Sequence, residues 1–277
     1  MNFFIGVVSY LSIGKIESLF QYPIKGFGGE ALPLVKLKPS ATFPNDRQFA
    51  LLKKNDVTTF DPENPVWLHK ANFLCTFTNP ELLSTYEISV FKGNERLDLD
   101  LFDRASGEQV LPTINMSTEC GRQSFASFFS EKANTPLTCV TAKNHQFGNT
   151  SSSWKRKKDT RTVHIVNKAT VEELSEAFGV RLYASRFRPN IVVDGPPAWS
   201  EWDWIDKEIL LGSVKMKVIS KTVRCDGISV DPLDHKNVLD IPNLLVKHFP
   251  QHGPYLGVYA TVEEGGTIKL EDDLSIT

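Results

Sequence analysis

The amino-acid sequence predicts a β-rich α+β fold, in which barrels or curled sheets carry a few helices. Short segments that alternate apolar and polar residues recur along the chain more often than segments with helical spacing. Turn sequences rich in glycine separate several of these segments in pairs, which is typical of β-hairpins. Only two segments combine helical spacing with recognisable helix ends. Sheets are therefore expected to form the main architecture.

The predicted strands follow in chain order. Single strands are expected at residues 15–22 and 47–53. Three hairpins are predicted further on, because each has a turn between two alternating segments. The paired segments are residues 88–91 with 97–101, residues 208–211 with 214–219, and residues 255–262 with 267–270.

Two helices are predicted. One begins at Thr170, a good N-cap whose capping box Glu173 completes, and it ends at Gly179. The other covers about residues 121–130, with its buried face made of aromatic side chains. These are Phe125, Phe128 and Phe129.

The composition is that of an ordinary globular protein, with 277 residues of which 41% are hydrophobic and 23% charged. The net charge of −2 argues against a general nucleic-acid binder, which carries a basic excess. Four cysteines in 277 residues are too few for a disulfide scaffold, and no two lie close enough in sequence for a zinc ribbon or an iron–sulfur ligand run. They are Cys75, Cys120, Cys139 and Cys225. Reduced thiols in a cytoplasmic compartment are expected.

Two segments stand apart from this pattern. Residues 3–13 are apolar but shorter than the roughly 20 residues of a membrane span, and no Lys or Arg precedes them. We predict a first strand or a loose leader there, and no membrane span. Residues 144–161 are polar and end in a strongly basic run at 155–161. This segment predicts a domain junction or a mobile loop.

Several familiar site motifs are missing from the sequence. Residues 26–29 are glycine-rich but do not match GxGxxG, and no GxxxxGK[ST], HExxH or GxSxG occurs. His248 and His252 have the spacing of a helical metal pair, but Pro250 lies between them and would break that helix. A structural or solvated role is expected for both histidines.

Four short motifs remain, and each taken singly suits a turn, a surface ion pair or the start of a strand. They are YPIKG at residues 22–26, NDR at 45–47, RFRPNIVV at 186–193 and RCDGISVDP at 224–232. In this order, and followed by LGVYATVEEGGTI at 256–268, they resemble the MOSC superfamily. The resemblance is to its two-part members, such as the mitochondrial amidoxime-reducing component and YcbX-type proteins. It spans residues 15–275 and implies an N-terminal MOSC β-barrel domain (residues 15–135) packed on a MOSC domain (residues 136–277).

The resemblance also implies a molybdenum-cofactor site. The family's metal-binding cysteine corresponds to Cys225, a soft ligand suited to molybdenum, and Arg224 beside it would favour the thiolate. Basic residues at the family's phosphate-binding positions supply guanidinium and ammonium donors. They are Lys25, Arg47 and Arg188.

Other motif positions have less settled roles. Asn190 corresponds to the family's pterin-binding Asn, although it could equally cap a strand. Ser229 keeps one of two hydroxyls usual before Val-Asp-Pro. Asp226 and Asp231 are candidate proton donors by proximity alone. Gly26 replaces the usual Ser, and the pair Asp226-Gly227 replaces apolar residues.

The function expected from the resemblance is molybdenum-dependent reduction of N-hydroxylated compounds, of amidoxime or hydroxylamine type, to the amine and water. No ferredoxin-like segment follows Leu274, so electrons would come from a separate protein, with the chain itself a monomer. Residues 155–161 are either its docking surface or a solvated loop. A sulfur-transfer or cofactor-carrier protein using Cys225 is the alternative, and a non-catalytic module is a third possibility. Pyridoxal phosphate binding is a generic association of the family.

Overall fold

The computed structural model describes residues 11–54, 60–93, 96–143, 145–148, 161–231 and 236–277. The predictions for residues 3–10 and for the basic run at 155–160 therefore lie outside the described residues. Among the described helices, none is both long and apolar enough to cross a membrane.

The elements of the first half of the chain are mostly short strands. They are β1 (Ser12–Gln21), β2 (Glu30–Leu32), β3 (Leu34–Leu37), β4 (Phe49–Lys53), β5 (Phe73–Leu74), α1 (Pro80–Thr85), β6 (Tyr86–Gly93), β7 (Arg96–Asp103), β8 (Ile114–Asn115), α2 (Glu119–Lys132) and β9 (Leu137–Thr141).

The second half continues the same pattern with two further α-helices. Its elements are β10 (Val163–Asn167), α3 (Lys168–Phe178), β11 (Ile191–Asp194), β12 (Glu208–Leu211), β13 (Val214–Val223), α4 (Ile241–His248), β14 (Tyr255–Glu264), β15 (Gly266–Lys269) and β16 (Asp273–Ile276).

A closed seven-stranded barrel dominates the second half. Its strand order is β11-β10-β14-β13-β12-β16-β1, and β1 closes the ring by pairing with β11. All pairs are antiparallel except β10 with β11. Alternate side chains of these strands fill the interior, among them Ile16, Ile165 and Val258. The predicted β-rich fold with a barrel and few helices is confirmed.

A second unit is formed by two three-stranded sheets, ordered β5-β4-β9 and β6-β7-β8. Helix α2 packs aromatic side chains against it, and Phe27 contacts Phe125 and Phe129 at ring distances of 5.6 and 5.0 Å. The two halves of the chain are interleaved, since β1 from the first half closes the barrel and β3 pairs with β15 from the second half. The division at residues 135 and 136 stays a prediction.

Two of the three predicted hairpins are confirmed, and the third is wrong. Strands β6 and β7 pair with each other, as do β12 and β13. Strand β14, however, already pairs with β13 on one side and β10 on the other, so it has no free edge for β15. The chain instead crosses at Gly265, where a Cβ would lie 2.7 Å from the Leu37 carbonyl oxygen, and β15 pairs with β3.

Both predicted helices exist, but one begins earlier than expected. The N-cap of α3 is Asn167, whose side chain accepts a hydrogen bond from the Ala169 backbone, so the prediction of Thr170 is wrong. Thr170 is instead buried and donates its hydroxyl to the Glu201 carboxyl at 3.0 Å. The predicted end is confirmed, because Gly179 adopts a left-handed φ of 67°.

The buried Glu201 predicts a pH dependence of stability. Burial raises its pKa from 4.5 to about 7, against opposing hydrogen bonds from Thr170 and Asn167. The folded state then binds a proton more tightly than the unfolded state, so this contribution to stability falls as the pH rises from 4.5 through 7. Between pH 5 and 8 the titration of Glu201 should lower the free energy of unfolding of the wild type by on the order of 2–3 kcal/mol. In Glu201→Gln the melting temperature should therefore fall less over this pH range. Glu172→Gln, on the exposed face of helix α3, is the control, and a wild-type slope in Glu201→Gln would contradict the prediction.

Candidate functional site

A cavity of about 200 Å³ lies between one end of the barrel and the second unit. The turn after β1 forms part of its wall and is held against β4, because the Lys25 backbone donates to the Phe49 carbonyl at 2.8 Å. Strand β11 pairs with β1 and brings Arg188 and Asn190, which precede it, to the same place. The end of β13 adds Cys225. Strand pairing therefore gathers residues from four distant parts of the sequence.

The structure brings most of the predicted site residues together, but not all. Those that line the cavity are Lys25, Arg47, Arg188, Asn190, Arg224 and Cys225. Asp226, Ser229 and Asp231 do not line it. Asp226 and Ser229 belong to the short 3-10 turn after Cys225, where the Ser229 backbone donates to the Asp226 carbonyl at 3.0 Å.

Asp231 has a structural partner that the sequence analysis missed. It accepts a hydrogen bond at 3.1 Å from Nη1 of Arg186, whose side chain is only 2% exposed. The same guanidinium donates to the carbonyl oxygens of Ile228, Ser229 and Asn237. Arg186 thus fixes the backbone that follows Cys225. The sequence signal was the pair of arginines in RFRPN, of which only the second was assigned to the site.

Arg47 and Arg188 have unusual backbones. Both have left-handed φ angles, of 50° and 54°, which cost about 1–2 kcal/mol for a residue with a side chain. Arg47 forms an ion pair with Asp46. Both guanidiniums lie over the ring of Tyr22, with Cζ 5.2 Å from the ring centroid for Arg47 and 4.4 Å for Arg188. The left-handed backbones of Arg47 and Arg188 therefore place both guanidinium groups beside the ring of Tyr22.

Arg188 leaves a donor unsatisfied at this point. Its Nη1 donates to the Phe27 carbonyl at 2.6 Å, whereas its Nη2 is buried and has no partner among the described residues. Burial and, to a smaller extent, the charge of nearby Arg47 lower the pKa of Arg188 from 12.5 to about 10. Arg224 is similar, since Nη2 donates to the Phe187 carbonyl while Nε is buried without a described partner. Buried cationic donors that lack acceptors fit a bound anion.

Lys25 adds a third charge deep in the cavity. The residue is 6% exposed, and its Nζ donates to the Phe147 carbonyl at 3.0 Å. Burial lowers the pKa of Lys25 from 10.5 to about 8, and Arg47 and Arg188 contribute in the same direction. The ammonium is therefore mostly charged at pH 7, and it is acidic enough to release a proton slightly above that pH.

His164 and Asn190 connect the cavity to the barrel. The His164 backbone donates to Oδ1 of Asn190 at 3.1 Å, and the Asn190 backbone donates back to the His164 carbonyl at 2.8 Å. Burial keeps the pKa of His164 well below its usual range, so the ring is neutral. Its Nδ1 lies 3.2 Å from the Arg188 carbonyl oxygen, and the Leu256 backbone also interacts with the ring. The side chain of Asn190 thus serves the strand pairing, and a ligand-binding role for it stays a prediction.

Cys225 lies half-buried at the end of β13 and begins the 3-10 turn Asp226–Ile228. A Cβ at Gly227 would lie 3.7 Å from its Sγ, so glycine at this position leaves space beside the sulfur. Among the described residues, no group of three or more His, Cys, Asp or Glu could hold a metal ion. A metal bound at Cys225 would therefore need most of its ligands from a cofactor.

One region of the chain matches a known domain family. Residues 143–275, a little under half of the chain, match the sequence profile of the MOSC domain. The second half of the chain therefore contains a MOSC domain.

The curated relatives fall into two groups. The chain is 32% identical to mitochondrial amidoxime reducing component 2 of Rattus norvegicus over 124 residues, which are 41% of this chain and 36% of that protein. It is 30% identical to mitochondrial amidoxime-reducing component 1 of Homo sapiens over the same shares. It is 27% identical to the molybdenum cofactor sulfurase of Caenorhabditis briggsae over 79% of this chain and 29% of that protein. The matches thus span about a third of the length of these relatives.

Two solved structures resemble the chain more distantly. YiiM from Geobacillus stearothermophilus has a TM-score of 0.33 and 17% identity, covering 42% of this chain and 53% of that one. The YUAD protein from Bacillus subtilis has a TM-score of 0.42 and 10% identity, covering 97% of each chain.

The segment around Cys75 was not predicted to be part of the site. Cys75 is buried, as expected for a small core residue, but it also lines the cavity together with Thr76 and Phe77. Gly26 explains why this segment approaches so closely, because it has a φ of 88° and its Cβ would lie 2.6 Å from Cα of Cys75. The glycine that departs from the family pattern therefore makes room for a neighbouring chain segment.

Gly227 yields a prediction about access to the thiol. Gly227→Val should slow the alkylation of Cys225 by a bulky maleimide several-fold and by iodoacetamide less, because the new side chain would contact Sγ. Peptide mass spectrometry in a Cys75→Ser background measures the two rates, and the exposed Cys120 provides the reference rate. Equal slowing by both reagents, or none, would contradict a steric role for this position.

Proposed function

We propose that this protein binds a molybdenum cofactor in the cavity and reduces N-hydroxylated compounds of amidoxime or hydroxylamine type. The supporting observation is that the half-buried Cys225 thiol shares one cavity with Lys25 and three arginines, while no Asp or Glu lines it among the described residues. The similarity to amidoxime-reducing components supports the reaction class. Since that similarity covers about a third of their length, substrate and activity are proposals for this chain.

Different side chains would bind different parts of the cofactor. Cys225 would be the ligand that the protein supplies to the metal, because a soft thiolate suits molybdenum. Arg47 and Arg188 would bind the phosphate, since Arg188 Nη2 is a buried donor without a described acceptor. When bound, the cofactor supplies two-electron oxygen-atom chemistry at the metal. An anion at this place would also reduce the mutual repulsion of the clustered cations.

Proton delivery in this proposal falls to Lys25 rather than to an aspartate. Asp231 is paired with Arg186 and Asp226 lies in the turn, and neither lines the cavity. Lys25 lines it and has a pKa of about 8, so it carries a proton at neutral pH and can give it to a basic oxygen or nitrogen of a substrate. We propose Lys25 as the general acid in place of the two aspartates.

Sulfur transfer or cofactor transport is the second candidate function. It is favoured by the similarity to molybdenum cofactor sulfurase over 79% of this chain and by the second thiol, Cys75, in the cavity wall. In this case Cys225 would carry a persulfide or hand on the cofactor. Pyridoxal phosphate binding, the donor protein and docking through residues 155–161 stay predictions.

Analysis of the purified protein distinguishes the two functions. Expression in a host that makes molybdenum cofactor should give protein with molybdenum and pterin in equal amounts, measured by mass spectrometry and by pterin fluorescence. The same protein should reduce benzamidoxime when a chemical reductant supplies the electrons. Protein with a cyanide-labile sulfur and no molybdenum would instead support sulfur transfer, and protein with neither would contradict both.

A further inference from the structure

The cavity has a cation at its rim that the proposed cofactor site does not use. Lys70 and Phe77 both line the cavity, and Nζ of Lys70 lies 3.6 Å from the centroid of the Phe77 ring. Lys70 is half-buried, and Phe77 is 41% exposed. The two residues, called the rim pair below, thus present a charge and an aromatic face to solvent at the cavity mouth.

Lys70 differs from the other cations of the cavity in its contacts. Lys25, Arg188 and Arg224 each donate to a backbone carbonyl, and Arg47 pairs with Asp46. Among the described residues, Lys70 has neither a carboxylate within ion-pair distance nor a side-chain hydrogen bond, and the ring of Phe77 is its neighbour. A cation–π contact leaves the three N–H donors of an ammonium able to bind an anion.

The rim pair is held in place by its own segment. The Cys75 thiol donates to the Lys70 carbonyl at 3.5 Å, and the backbones of Thr78 and Asn79 donate to the Cys75 carbonyl at 2.9 Å. The Thr76 hydroxyl donates to the Gly26 carbonyl at 2.7 Å, which fixes the segment beside Lys25. The backbone that carries Lys70 and Phe77 is therefore held at the cavity mouth before a ligand arrives.

We propose that the rim pair selects flat substrates that carry a carboxylate. Lys70 binds the carboxylate, and the face of Phe77 packs on the planar part of the molecule, so that the opposite end of the substrate is directed towards Cys225. This inference rests on the proposed function for the reacting group, but the binding step does not require turnover. It makes Lys70 and Phe77 specificity-determining residues for anionic N-hydroxylated compounds.

Two probes that differ in charge test the rim pair in the cofactor-loaded full chain. One is 4-carboxybenzamidoxime, which is an anion, and the other is its neutral amide, 4-carbamoylbenzamidoxime. Lys70→Met keeps the aliphatic stem over Phe77 and removes the charge. It should raise KM and the calorimetric Kd for the anionic probe about fivefold, with kcat and both constants for the neutral probe unchanged. Lys70→Arg should restore most of the selectivity for the anionic probe, and Phe77→Leu should weaken the binding of both probes.

Lys221→Met is the matched control, because Nζ of Lys221 lies 3.5 Å from the Trp202 ring and does not line the cavity. It should leave both probes unchanged. Salt should reduce the advantage of the anionic probe in the wild type and not in Lys70→Met. Equal effects of Lys70→Met on the two probes, or the same selectivity loss in Lys221→Met, would overturn the proposal.

The two readouts separate this proposal from the proposed function. Binding of the anionic probe that depends on Lys70, without any turnover, would support the rim pair and contradict the reductase activity. Turnover of both probes with the same KM in wild type and Lys70→Met would support the reductase and contradict the rim pair. A melting curve for each variant shows that the compared proteins are folded.

Discussion

Cys225→Ala is expected to reduce both the molybdenum content and the reduction of benzamidoxime to background while the protein stays folded. The thiolate is the metal ligand that this chain would supply, and the described residues offer no other cluster of metal-binding side chains. The cost in stability should be small, about 1 kcal/mol or less, because Cys225 is half-buried and lies at the end of a strand. Elemental analysis, pterin fluorescence and thermal melting measure the three quantities.

The other cysteines are the controls for this prediction. Cys120→Ser changes an exposed residue, and Cys139→Ala changes a buried thiol whose pKa burial raises to about 12. Both should retain molybdenum and activity. Cys75→Ala separates the two candidate functions, because reduction does not need this second thiol whereas sulfur exchange within the cavity would. Full activity in Cys225→Ala would refute the proposed metal ligand.

The sequence alone predicts the local elements of this fold better than their partners. The alternation and turn of β14 and β15 indicate two strands correctly, but a local pattern carries no information on which edges are already occupied. Strand β14 is paired on both sides, so the expected hairpin does not form. Likewise Asn167 and Thr170 are both good N-caps, and only the contact with buried Glu201 decides between them.

The same limit applies to the site. Lys25, Arg47 and Arg188 are far apart in sequence, and their residue types alone do not indicate a common place. The resemblance to the MOSC family supplied that grouping, and the pairing of β1 with β11 and of the following turn with β4 explains it physically. His164 was missed because it stands in an apolar strand, where a neutral core histidine is the ordinary expectation. Lys70 and Phe77 lie outside every motif.

Arg186→Met is expected to cause the largest loss of stability among these variants. The guanidinium donates to the Asp231 carboxylate and to three backbone carbonyls, of Ile228, Ser229 and Asn237, at distances between 2.5 and 3.2 Å. Methionine keeps the apolar stem but removes all four of these hydrogen bonds in a largely buried place. The free energy of unfolding should fall by about 3 kcal/mol, measured by urea denaturation.

Arg186→Met should also loosen the surroundings of Cys225, which begins the turn that Arg186 holds. Even at low temperature, where Arg186→Met remains folded, Cys225 should be alkylated faster and the protein should retain less molybdenum. Arg181→Met is the matched control, since Arg181 is exposed and lies over the ring of Tyr183 at 4.9 Å. Adding Asp231→Leu should not restore the molybdenum content, because the hydrogen bonds from Arg186 to the three carbonyls remain lost. If Arg186→Met and Arg181→Met had the same urea midpoint, Arg186 would not hold the Cys225 turn.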